Sequence, residues 1–128
     1  MIPAVLAVFV CTVAVDLRAS FDRLAALARL HVGRDPLGEV ALYLFLNRAH
    51  THAKVLWWDR TGWCLLYKRL ERGTFRLPSV IEPDATHVVI DRRELELILE
   101  GLDLPKQRPR GRPRGRTPDP PPSSPTAR

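Results

Sequence analysis

The sequence of 128 residues predicts an α+β fold: one small domain built on a mostly antiparallel sheet with two amphipathic helices, followed by a basic tail. Three observations carry that expectation. Residues 5–15 and 40–46 are apolar runs of strand length, and residues 53–77 are strand-like segments punctuated by Gly-containing turns. Two further segments repeat apolar residues at helical spacing, while the last quarter of the chain has almost no apolar side chains to bury.

Residues 5–15 are rich in β-branched side chains and read as a strand buried on both faces, where a continuous apolar run is expected. From Asp16 the apolar positions Leu17, Phe21, Leu24, Leu27 and Leu30 predict a helix, with Asp16 as its cap and Gly33 as its stop. Residues 40–46 and 53–59 predict the next two strands. Asp59, Arg60, Thr61 and Gly62 make a tight hairpin connection in which Gly supplies a positive φ, and residues 63–70 run back as a fourth strand. Glu71, Arg72 and Gly73 repeat the device, so that residues 74–77 predict a fifth short strand stopped by Pro78. Residues 86–90 are a last strand. Asp91 with Glu94 three residues on matches a capping box, opening a helix through Leu95, Ile98, Leu99 and Leu102 that Gly101 and Pro105 end. Both helices are expected on one face of the sheet. The domain spans residues 1–104, and the Arg/Pro/Gly-rich tail of residues 105–128 is expected to be disordered when free.

Charge is distributed unevenly. Residues 1–104 hold equal numbers of basic and acidic side chains, so the net charge of +6 sits entirely in the tail. Within the domain, Arg48, Lys54, Arg60, Lys68, Arg69, Arg72 and Arg76 face only Asp59 and Glu71, whereas residues 82–103 are acidic. A locally basic segment is suited to phosphate, which makes Arg48, Lys54, Lys68, Arg69, Arg72 and Arg76 candidate nucleic-acid contacts. A solvated face is the plainer alternative, because strand alternation puts Lys68 opposite Tyr67 and Arg69. Of Trp57, Trp58 and Trp63, at least two read as core. In the tail, Arg110-Gly111-Arg112 and Arg114-Gly115-Arg116 between prolines resemble the AT-hook, whose extended Arg-Gly-Arg core lies in the narrow minor groove of A·T-rich DNA. Arg110, Arg112, Arg114 and Arg116 are therefore further candidates, with general polyanion binding as the alternative.

Catalytic constellations are weak. His50-Thr51-His52 lies in a predicted loop without an acidic neighbour, Ser20 beside Asp22 sits in a predicted first helical turn, and no Gly-rich phosphate loop is present. Cys11 and Cys64 lack metal-site spacing and read as small hydrophobes in a reducing, cytoplasmic setting. The apolar start has no basic region before it and is too short for a bilayer span, so no membrane partner is expected. No cofactor, metal or enzymatic activity is indicated.

Specific strings go further. Val15-Asp16-Leu17-Arg18 with Phe21-Asp22 and Leu24-Ala25-Ala26-Leu27, then residues 54–62, then Leu70-Glu71-Arg72-Gly73 with Phe75 and Pro78, and finally residues 99–103, match in order and spacing one family. The sequence resembles the small TnpB accessory proteins of bacterial insertion sequences of family sixty-six, which are distinct from the RNA-guided nuclease of the same name. The resemblance implies a non-catalytic accessory factor of DNA transposition beside the element's separate transposase, with DNA at the element's ends, the transposase and other accessory proteins of the same element as its candidate partners, and it leaves open whether the chain binds DNA, the transposase or both. An adaptor of the transposase with no direct role on DNA is the alternative. Two departures bear on this: Ala19 stands where the family usually has Lys, and residues 47–52 replace a more basic stretch.

Overall fold

A computed structural model describes residues 7–38, 40–78 and 81–104. The elements run β1 (Val8–Cys11), α1 (Phe21–Leu27), β2 (Leu42–Leu46), β3 (His52–Trp58), β4 (Trp63–Arg69), β5 (His87–Ile90) and α2 (Arg92–Leu99). A wider π-helical turn, Ala28–Val32, continues α1, and a 3-10 turn, Pro36–Gly38, follows. The sheet order is β4-β3-β2-β1-β5. All neighbours are antiparallel except β1 and β2, whose parallel pairing requires the crossover that α1 supplies.

The two helices cover opposite faces rather than one. Alternate residues of the strands divide the core: Phe9, Tyr43, Phe45 and Leu56 pack against Leu24, Ala25 and Ala28 of the α1 layer. Val8, Val10, Leu42, Leu44, Val55 and Trp57 pack against Leu95 and Ile98 of α2, with Phe75 beside them. The physical reason is already in β1 and β2, where every residue is buried. A strand with no solvent-facing residue needs cover on both sides.

Other expectations shift locally. Residues 74–77 form no strand; instead the buried Phe75 fills the α2-side core, and its N–H donates to the His50 carbonyl at 2.7 Å. One anchored residue replaces a ladder. In the β3–β4 hairpin the positive φ falls on Arg60 (74°), not on Gly62. Helix α1 starts five residues after Asp16, whose carboxylate is engaged with Arg18 instead of capping it; Ser20 stands at the N-cap and makes no side-chain cap bond. Gly33 (φ 78°) and Gly101 (φ 77°) do end the two helices in the left-handed conformation that glycine accepts without strain. The capping box of α2 is complete: Glu94 N–H donates to Asp91 Oδ1 at 2.7 Å and Asp91 N–H donates to Glu94 Oε1 at 3.0 Å.

Candidate nucleic-acid interface

The cationic side chains gather at one end of the sheet because two loops meet there. His52 opens β3 opposite Arg69, which closes β4. Beyond that pair, the Leu70 N–H donates to the Thr51 carbonyl at 3.0 Å, and the Phe75 bond to His50 draws the following loop across the same end. Arg48, Lys68, Arg69, Arg72 and Arg76 are thereby grouped, while Arg60 lies in the β3–β4 turn at the opposite end.

Asn47 builds the turn that displays Arg48. Its Oδ1 accepts from the Thr51 N–H at 2.9 Å and the His52 N–H at 3.0 Å, and its Nδ2 donates to Thr51 Oγ1 at 3.0 Å. The Thr51 hydroxyl and the Asn47 amide both lie within hydrogen-bond distance of His52 Nδ1, at 2.8 and 3.2 Å. His52 is thus a strand residue held by polar neighbours rather than a loop residue, and His50 takes a positive φ of 58° at the turn. The short polar side chain of Asn47 substitutes for backbone partners in a tight reversal.

The candidates differ in what they can offer. Arg69 pairs with Glu71 at 3.0 Å and Arg76 with Asp103 at 2.8 Å, both on exposed surface where such pairs exchange readily with solvent. Arg48 and Arg72 are exposed and have no acidic partner among the described residues. Lys68 opposes Ala53 and projects toward the α2 layer, whereas Arg69 opposes His52 and projects toward the α1 layer, so the charges surround the sheet end instead of forming a flat patch. Lys54 is set apart: it is buried, and its Nζ donates to the Ala19 carbonyl at 2.7 Å and lies 5.0 Å from the centre of the Tyr67 ring.

On the α1 side, an open groove of about 570 Å³ runs beside this end, lined by Ala14 to Arg18, Asn47 to Ala49, His52 and Tyr67. Tyr67 is 58% exposed, and its ring lies 6.1 Å from that of His52. Arg18 donates to Asp16 at 2.6 Å, and this guanidinium pulls the Asp16 carboxyl down to about 2. Sequence reasoning missed both Tyr67 and Asn47; a tyrosine alternating out of an edge strand and an asparagine at a strand end were the available signals. A second groove, on the α2 side, is lined by His50, residues 74–77, Asp103 and Leu104. Leu104, the last described residue before the tail, therefore lies beside Arg76. The candidates Arg110, Arg112, Arg114 and Arg116 lie outside the described residues.

A family model described as "IS66 Orf2 like protein" matches residues 6–109. The chain belongs to this family. That membership supports an accessory role in insertion-sequence transposition. A curated relative, "Uncharacterized protein y4hO" of Sinorhizobium fredii (strain NBRC 101917 / NGR234), is 33% identical over 96 residues, which is 75% of this chain and 80% of the relative. No solved structure matches the chain.

Other chemistry has little geometric support. Among the described residues no three His, Cys, Asp or Glu side chains are grouped to hold a metal ion. Burial pushes the Cys11 thiol up, and burial together with Asp59 does the same at Cys64, which opposes thiolate chemistry at both. Trp57 is core, while Trp58 and Trp63 are half-buried and meet edge to face with centroids 5.0 Å apart. No helix among the described residues is long and apolar enough to cross a membrane.

Proposed function

We propose that this IS66 Orf2-like protein acts in the cytoplasm as a non-catalytic DNA-binding accessory of transposition, holding the ends of its element for the transposase. The observation that carries the reading is the convergence of Arg48, Lys68, Arg69, Arg72 and Arg76 at the sheet end from which the arginine-rich segment departs. Together these supply the cationic surface that phosphate neutralisation needs, and Arg110, Arg112, Arg114 and Arg116 add contacts suited to a narrow minor groove. The domain of residues 1–104 and the tail of residues 105–128 act as two parts of one binding surface.

The test is a pulldown of the full chain with the element's terminal inverted repeats, with and without transposase. Capture of the repeats by the chain alone, weakened by Arg48→Glu with Arg72→Glu, supports DNA as the primary partner. Capture of the repeats only when transposase is present, with coelution of chain and transposase that survives nuclease treatment, selects the adaptor reading instead, in which the exposed acidic side chains Glu96 and Glu100 of the C-terminal helix region dock on the transposase.

A further inference from the structure

The outer edge of β4 carries its own instruction for pairing. Two backbone contacts fix which groups face inward: Asp59 N–H donates to the Gly62 carbonyl at one end of the β3–β4 pair, and Leu70 N–H to the Thr51 carbonyl at the other, both at 3.0 Å. Inward-bonding residues alternate along an antiparallel strand. Gly62 and Leu70 have the same parity, so Cys64, Leu66 and Lys68 bond to β3. Trp63, Leu65, Tyr67 and Arg69 turn their N–H and C=O groups to the open edge. Among the described residues no strand lies beyond β4. The chain leaves Leu70 across the sheet end rather than along this edge.

We propose that β4 pairs antiparallel with β4 of a second copy about a two-fold axis at Leu66, joining two five-stranded sheets into one. In this register Trp63 meets Arg69 of the other copy, Leu65 meets Tyr67, Cys64 meets Lys68, and Leu66 meets Leu66. All four open-edge residues then hydrogen-bond, and the half-buried Leu65 and Leu66 and the exposed Tyr67 become covered. Charge favours this arrangement. The Asp59 carboxylate lies 3.6 Å from Cys64 Sγ, so the opposing Lys68 ammonium gains a partner, and the Arg69 guanidinium gains the face of Trp63. A parallel in-register copy would instead set Lys68 on Lys68 and Arg69 on Arg69, which like charge disfavours. The chain's own tail is a poor occupant: Pro105, Pro109, Pro113 and Pro118 interrupt any run of donors, and its arginines would meet Lys68 and Arg69.

Sedimentation of the nucleic-acid-free full chain tests this independently of DNA binding. Twice the monomer mass is expected. Leu66→Cys in a Cys64→Ser background should close an intermolecular disulfide, since a non-hydrogen-bonded pair sets Cα atoms about 4.5 Å apart, inside the roughly 4.4–6.8 Å a disulfide spans. Tyr67→Pro removes an outward N–H without breaking a β3–β4 bond, at the cost of the ring over Lys54, and should give a folded monomer. Should that variant unfold, Lys68→Glu decides: it sets like charges at Asp59 and should raise the dimer Kd about ten-fold or more, with Asp59→Lys restoring it. A monomer at micromolar concentrations, or a dimer that neither cross-links through position 66 nor responds to Lys68→Glu, overturns the proposal.

Discussion

The ammonium of Lys54 is bound to the carbonyl of Ala19 at 2.7 Å, tying the second sheet position from the edge to the loop that launches α1. A lysine in a basic sequence segment thus serves as an internal strut, with Tyr67 over its charge. Replacing it with alanine removes a charge-assisted bond and leaves the Ala19 carbonyl without that donor. The expected loss is about 2 kcal/mol in urea unfolding, within the range for hydrogen bonds to charged groups. DNA affinity of the folded fraction should stay unchanged, which separates Lys54 from Arg48 and Arg72.

The two helix starts predict opposite responses to similar substitutions. Asp91 closes a reciprocal capping box with Glu94, so Asp91→Ala should lower stability by about 1 kcal/mol. Ser20 holds the N-cap of α1 without a side-chain cap bond, so Ser20→Ala should lie within about 0.5 kcal/mol of the parent. Thermal denaturation of the two variants side by side checks the contrast; equal losses would contradict it.

Much of the fold was legible in the sequence, and what was not follows a pattern. Strands, hairpin and capping box could be read because each rests on residues adjacent in the chain: Asp59 to Gly62 for the turn, Asp91 and Glu94 for the cap. The side of the sheet each helix covers depends on partners far apart, such as Leu24 with Tyr43 and Ile98 with Leu44. The apolar run of residues 5–15, read as buried on both faces, did imply cover on both sides of the sheet. Residues 74–77 misled because an apolar, turn-bounded segment can be a strand or a single core anchor, and only contact with His50 distinguishes them. In the candidate site, charge excess located the basic region, but burial of Lys54 and pairing of Arg69 and Arg76 are properties of three-dimensional neighbours.

Asp16 and Arg18 provide a check on local electrostatics. The carboxyl is held at about 2 by the side-chain bond from Arg18, the backbone bond from the same residue adding to it. Its folded value lies below its ordinary one, so any contribution to stability is present above the ordinary carboxylate range and is lost as pH falls through about 2. Because the carboxyl is exposed, titration is the proper readout. Carbon-detected NMR should give a midpoint near 2, and Arg18→Ala should move it most of the way back toward 3.8.

Arg76 is ion-paired with Asp103 beside Leu104, so a phosphate bound at this sheet end would have to compete with that carboxylate for the guanidinium. Both partners are exposed, and the pair itself contributes little to stability. Asp103→Asn should therefore leave unfolding nearly unchanged while freeing one cation. If the sheet end binds DNA, affinity should rise and the slope of log K against log salt should steepen by about 0.9, the increment for one added phosphate contact. Deleting residues 105–128 should flatten the slope by about 5, since Lys106, Arg108, Arg110, Arg112, Arg114 and Arg116 are lost together, and should leave the domain's unfolding transition in place. A slope that answers to the deletion but not to Asp103→Asn would confine DNA contact to the tail. A chain whose retention on DNA responds to neither change does not use Arg76 or the tail to hold DNA, which leaves the adaptor reading and a simply solvated face, and coelution with the transposase decides between them.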